Sequence, residues 1–124
     1  MPPEFAIIEQ GSEAGHYVIA ARGEIDLFTA PELKQVITEA IESGERRVAI
    51  DLSEVSFLDS TALGVLIGAV KRLRSRGGAL AVINTDASIA KTFEITGLDQ
   101  IFTILPTRAE ALDALDDAVE GDAA

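Results

Sequence analysis

The apolar residues of this chain change their spacing several times from one end to the other, and that change of period does most to restrict the fold. Short stretches alternate every second residue, while longer ones repeat every three to four. Alternating strand-like and helix-like segments predict an α/β domain, its sheet buried by the helices that join the strands. Phe5 to Glu9 and Tyr17 to Arg22 predict a hairpin, with Gly11-Ser12-Glu13-Ala14-Gly15 as a loop of several residues. Thr29 and Glu32 have capping-box spacing around Pro31, and Leu33, Val36, Ile37, Ala40 and Ile41 then share one helix face as far as Ser43-Gly44. Arg47 to Leu52 reads as a central strand and Ser60 to Arg76 as a second helix, with Leu63, Leu66, Ile67, Val70 and Leu73 turned inward. Leu80 to Ile83 is another buried strand. Asp86 caps a short helix through Phe93 and Ile95, and Ile101 to Leu105 is the last strand. A final helix follows a second capping-box pattern at Thr107 and Glu110, with Leu112, Leu115 and Val119 on its inner side.

A length of 124 residues and an apolar fraction of 48% suit one domain with its own core, expected over residues 5–119. Residues 1–4 read as an N-terminal tail and 120–124 as a disordered C-terminal tail. With no cysteine and a single histidine, the chain offers no thiol chemistry, disulfide framework or metal-ligand set, and no cofactor is expected. The net charge of -11 repels phosphate backbones, so the expected partner is protein and not nucleic acid. No apolar run approaches the roughly 18 residues of a membrane span, and Met1-Pro2-Pro3-Glu4 lacks the layout of a signal peptide, so a cytoplasmic chain without a membrane partner is expected.

Several groups have a structural explanation. His16 and Tyr17 open a strand without a partner motif. Glu110, Asp113, Asp116, Asp117, Glu120 and Asp122 read as the solvated face of the last helix. Lys71, Arg72, Arg74 and Arg76 complement the negative end of the second helix, although they suit an acidic partner as well. Asp51, ending a central strand, raises the idea of a phospho-accepting receiver domain. That fold's acidic pair after the first strand and Lys after the last strand are both missing here.

The segment Asp51-Leu52-Ser53-Glu54-Val55-Ser56-Phe57-Leu58-Asp59-Ser60-Thr61-Ala62-Leu63-Gly64 is the most informative. Asp59 or Ser60 suits an N-cap. At 100 degrees per residue, Thr61, Gly64, Val65 and Gly68 lie opposite the core arc, on a face that is small and uncharged. Each interior Gly costs a helix roughly 0.5 to 1 kcal/mol relative to Ala, so two of them four apart imply the close approach of another surface. A partner and a segment of the same domain account for this equally well. A Ser hydroxyl at this helix terminus would accept a phosphate, and its charge of about -1.5 to -2, without unfolding the helix.

The run Asp59-Ser60-Thr61-Ala62-Leu63-Gly64-Val65-Leu66 after Asp51-Leu52-Ser53 resembles the signature of STAS domains of the bacterial anti-sigma factor antagonists. Gly23-Glu24-Ile25-Asp26, and Thr96-Gly97-Leu98 ahead of Ile101-Phe102, extend the resemblance over most of residues 5 to 119. It implies a single STAS-like α/β domain, a mixed sheet of four to five strands with helices packed around it. It also implies partner switching by a non-enzymatic protein, a monomer or weak dimer. The unphosphorylated form binds an anti-sigma factor serine kinase and so frees the sigma factor; phosphorylation switches binding off, and a serine phosphatase restores it. By motif position Ser60 is the acceptor, Thr61 the neighbouring hydroxyl, Asp26 and Asp59 the acids flanking the phosphorylation loop, and Gly64 the helix glycine. Many relatives carry Gly where this chain has Ala62, which should firm the first helical turn. The alternative within the fold is an accessory or assembly module, as in a signalling scaffold or transporter subunit, where Ser60 is only a cap.

Overall fold

A computed structural model describes residues 4–120; the tails expected at 1–3 and 121–124 lie outside the described residues. The elements run β1 (Ala6–Glu13), β2 (His16–Ile25), α1 (Ala30–Glu42), β3 (Arg47–Leu58), α2 (Ser60–Ser75), β4 (Ala79–Ile83), α3 (Ala87–Ile95), a 3-10 turn (Leu98–Gln100), β5 (Thr103–Leu105) and α4 (Arg108–Glu120). The sheet follows chain order, β1-β2-β3-β4-β5, with β1 antiparallel to β2 and the other pairs parallel.

Successive parallel strands added in one direction need crossovers of one hand, which puts their connecting helices on one face of the sheet. That face carries the main core, where Ile19, Val48, Ile50, Leu80 and Val82 meet Leu33, Ile37 and Ile41 of α1 and Leu63, Leu66, Val70 and Leu73 of α2. The opposite face is covered by α4, whose Ala111 and Leu115 pack on Val18, Ala49, Ala81 and Ile83. Strand alternation thus turns larger side chains toward the crossover helices, and two alanines of neighbouring strands toward α4. Gly78 lies where the chain leaves α2, and a Cβ there would stand 2.6 Å from the Arg46 carbonyl oxygen.

Three expectations are corrected. The hairpin loop is only Ala14-Gly15, both at positive φ (53° and 86°), as a tight turn of this hand requires. β3 does not stop at Leu52 but continues to Leu58, and its pairing with β2 shifts register twice, between Ala20 and Arg22 and between Gly23 and Glu24. No loop therefore precedes α2. The last strand is also shorter than expected, because Leu98–Gln100 forms a 3-10 turn and Ile101 and Phe102 precede Thr103.

Candidate functional site

β2 and β3 end side by side, with Ile25 paired to Leu58, and the next residue of each is an aspartate. The two ends are tied together, since the Asp59 N–H donates to the Ile25 carbonyl at 3.1 Å. Asp59 is the extended N-cap of α2; its Oδ1 accepts from the N–H groups of Thr61 (2.9 Å) and Ala62 (3.1 Å). Asp26 acts likewise one strand away, its Oδ1 accepting from the N–H groups of Phe28 (2.9 Å) and Thr29 (3.1 Å). The Phe28 N–H, followed by the donors at Thr29, holds the Asp26 carboxyl below the usual carboxylate range. The two flanking acids thus fasten the turn after β2 and the first turn of α2. Thr29 does not form the expected capping box: its hydroxyl accepts from the Asp26 N–H at 2.9 Å and lies 3.0 Å from the Glu24 carbonyl.

Ser60, the first residue of α2, is exposed, and its hydroxyl makes no hydrogen bond among the described residues. Thr61 is half-buried. Thr61, Gly64, Val65 and Gly68 line one groove of about 610 Å³ together with Lys34 of α1 and Lys71 and Arg72 of α2. A Cβ built at Gly64 or Gly68 would meet nothing within 4 Å, so packing inside this domain does not account for either glycine. Of the seven residues expected at the site, four share this groove, Ser60 adjoins Thr61, and the two aspartates brace the strand ends.

The sequence reading missed the surroundings. Lys34 comes from a different helix, and Leu27 (63% exposed), Phe28 (87%) and Phe57 (48%) form apolar surface near the same strand ends. A signal was present in Asp26-Leu27-Phe28-Thr29, because a turn closed onto an aspartate leaves its two central side chains pointing outward.

His16, Asp51 and Asp116 are engaged within the domain, away from this groove. His16 is buried, and its Nε2 lies 2.8 Å from Asp116 Oδ1; the Arg47 Nε stands 3.2 Å from the same oxygen as an ion pair without hydrogen-bond geometry. Asp116 is therefore not part of a solvated acidic face. Glu120's side chain and Asp122 lie outside the described set, while Glu110, Asp113 and Asp117 are exposed. Asp51 sits within β3, accepting from the Ser53 N–H at 2.9 Å and lying 3.4 Å from Arg108, so it is no open phospho-acceptor at a strand end. Among the described residues no group of His, Asp and Glu is placed to hold a metal ion, and no helix is long and apolar enough to cross a membrane.

Residues 8–111 match the STAS domain family model. The anti-sigma-B factor antagonist of Listeria monocytogenes is 41% identical over 99 residues, 79% of this chain and 86% of that relative. The chain belongs to the STAS-domain anti-sigma factor antagonists. The Staphylococcus aureus anti-sigma-B factor antagonist is 34% identical over 78% of this chain and 90% of its own length. A crystal structure of an anti-sigma factor antagonist from Mycobacterium paratuberculosis superposes with a TM-score of 0.83 at 30% identity, covering 90% of this chain and 94% of that one. Anti-sigma factor antagonists are regulators and not enzymes.

Proposed function

We propose that the unphosphorylated chain binds an anti-sigma factor that is itself a serine kinase, and that phosphate on Ser60 ends the binding. The observation that carries this reading is the free, exposed Ser60 hydroxyl at the start of α2, beside a groove whose glycines serve no packing within the domain. In the forward step the kinase moves the γ-phosphoryl of ATP onto Ser60 Oγ, ADP leaves, and a base of the kinase takes the hydroxyl proton. In the reverse step a serine phosphatase delivers water to the phosphorus, the P–Oγ bond breaks, inorganic phosphate leaves, and Ser60 Oγ takes up a proton to restore the hydroxyl.

The N-terminal amides that commonly cradle an anion are partly occupied, because Thr61 and Ala62 already donate to Asp59. Phosphate on Ser60 would stand next to that carboxylate and project its charge toward the partner. One like-charge contact at 4 Å costs about 4 kcal/mol at an effective dielectric of 20, on the order of a thousandfold in affinity before screening by salt. Leu27, Phe28 and Phe57 would add apolar contact at the rim of the same interface.

The test is incubation with the cognate anti-sigma factor kinase and ATP, followed by peptide mass mapping. Phosphate on the Ser60 peptide, absent from Ser60→Ala, is expected; phosphate confined to other residues overturns the assignment. In calorimetry Ser60→Ala should keep the affinity and Ser60→Asp should lower it. Equal affinities would defeat the electrostatic switch.

A further inference from the structure

We propose that the groove between α1 and α2 receives an acidic segment of the partner protein, read by the three cations Lys34, Lys71 and Arg72. This rests on the reading that the partner docks on the α2 face, and it names the chemistry of the segment that docks.

The chain has 21 acidic side chains against 10 Lys and Arg, so an internal partner for any cation should be easy to find. Among the described residues only Arg47, Arg76 and Arg108 lie within salt-bridge distance of a carboxylate; of the seven that do not, Lys34, Lys71 and Arg72 are the ones gathered at a single groove. All three line one groove, Lys34 on the α1 wall and Lys71 and Arg72 on the α2 wall. Arg72 is held in place, its Nη1 donating to Thr38 Oγ1 at 3.0 Å and its Nε to the Gly68 carbonyl at 3.4 Å. With no Cβ at Gly64 or Gly68, a partner backbone can come close enough for its carboxylates to reach both walls.

The rest of the molecule sharpens this choice. A net charge of -11 repels an acidic segment from most of the surface, so a local cationic groove steers it to one place. Ser60 adjoins Thr61 at this groove. Its phosphate would place an anion of this chain where the partner's carboxylates must pass, joining recognition and release in one charge mechanism.

The test uses the full chain, labelled with 15N, titrated with a Glu/Ala helical peptide and, in parallel, a Lys/Ala peptide of the same length. Amide shifts at Thr61, Gly64, Val65, Gly68 and Lys71 are expected with the acidic peptide alone. The affinity should fall about tenfold or more between low and high salt, and by a similar factor in the Lys34→Glu, Lys71→Glu double variant. Both lysines are exposed, so the variant should fold, and its thermal unfolding confirms that. Absence of binding, shifts elsewhere, or equal affinity for the double variant overturns the proposal. So do concentration-dependent shifts without peptide that link the groove to Glu110, Asp113 and Asp117 on α4, since they would make a second copy the occupant. Phosphorylation of Ser60 without peptide binding removes the groove proposal alone; peptide binding without phosphorylation of Ser60 removes the switch alone.

Discussion

At Asp59 a single carboxylate oxygen satisfies two backbone donors, and this decides which neighbouring residue remains free. Both Asp59 and Ser60 suit an N-cap by residue type, so the sequence left the choice open. The backbone resolves it, because Asp59 is extended (φ -107°, ψ -173°) and Ser60 already belongs to the helix. Asp59→Ala should cost about 1 kcal/mol of stability, whereas Asp59→Asn, an equally good cap, should cost much less. Thermal unfolding of the two variants checks this, and identical losses would mean that the cap is not what the residue provides. The glycines give an opposite expectation. Gly64→Ala and Gly68→Ala should each stabilise the chain by about 0.5 to 1 kcal/mol, since a Cβ at either site meets nothing within 4 Å and Ala favours a helix. Urea midpoints should rise while affinity for the anti-sigma factor falls. A lower midpoint would show that the glycines serve the fold and not the partner.

The helices and β4 were legible at the scale of elements because each has a one-sided apolar stripe or a short buried run with a clear stop. β3 was legible only as far as Leu52. Beyond it, two register shifts break the alternation, and the buried Val55 and Leu58 stand three apart among exposed neighbours. The hairpin turn was hidden because Ala14 takes the left-handed conformation usually signalled by Asn or Gly. The site was legible where one segment carries it, from Asp59 to Gly68. Lys34, Leu27 and Phe28 were not, since only the pairing of β2 with β3 brings their loop and helix beside α2. The packing of α4 over Ala49 and Ala81 was equally invisible to periodicity, which marks a residue as apolar but not as small for a reason. Ala81→Leu should overpack this layer and cost about 1 to 3 kcal/mol. A chemical denaturation midpoint equal to that of the parent would show that α4 is free to move away.

Charge acts over the whole molecule in two opposed ways as the pH falls. Exposed carboxylates repel one another in a chain of net charge -11, so their protonation relieves the folded state. Three carboxyls work in the other direction, each held below the usual carboxylate range: Glu9 chiefly by the hydrogen bond from Arg108, Asp26 by the Phe28 N–H, and Asp86 by the Ser88 hydroxyl. Their folded values lie beneath their unfolded ones, so in the intervening range the unfolded chain binds more protons and stability rises with pH. Their contribution is complete above the ordinary Asp and Glu values of about 4 and disappears as the pH drops through the lowered ones. The general repulsion is carried by dispersed charges and is screened beyond about 8 Å at physiological salt, while contacts of 2.6 to 3.1 Å are not. The local effect should therefore prevail in salt, and urea unfolding should show stability falling steadily below about pH 4, less steeply at low ionic strength. Asp26→Asn and Asp86→Asn keep a capping oxygen but cannot titrate, so each should flatten the acid limb while changing stability little at neutral pH. An acid limb equally steep in both variants would place the pH dependence outside the capped loops. A flattening in Asp26→Asn would tie it to the turn beside Asp59 and Ser60, making that loop among the first parts of the site to loosen in acid.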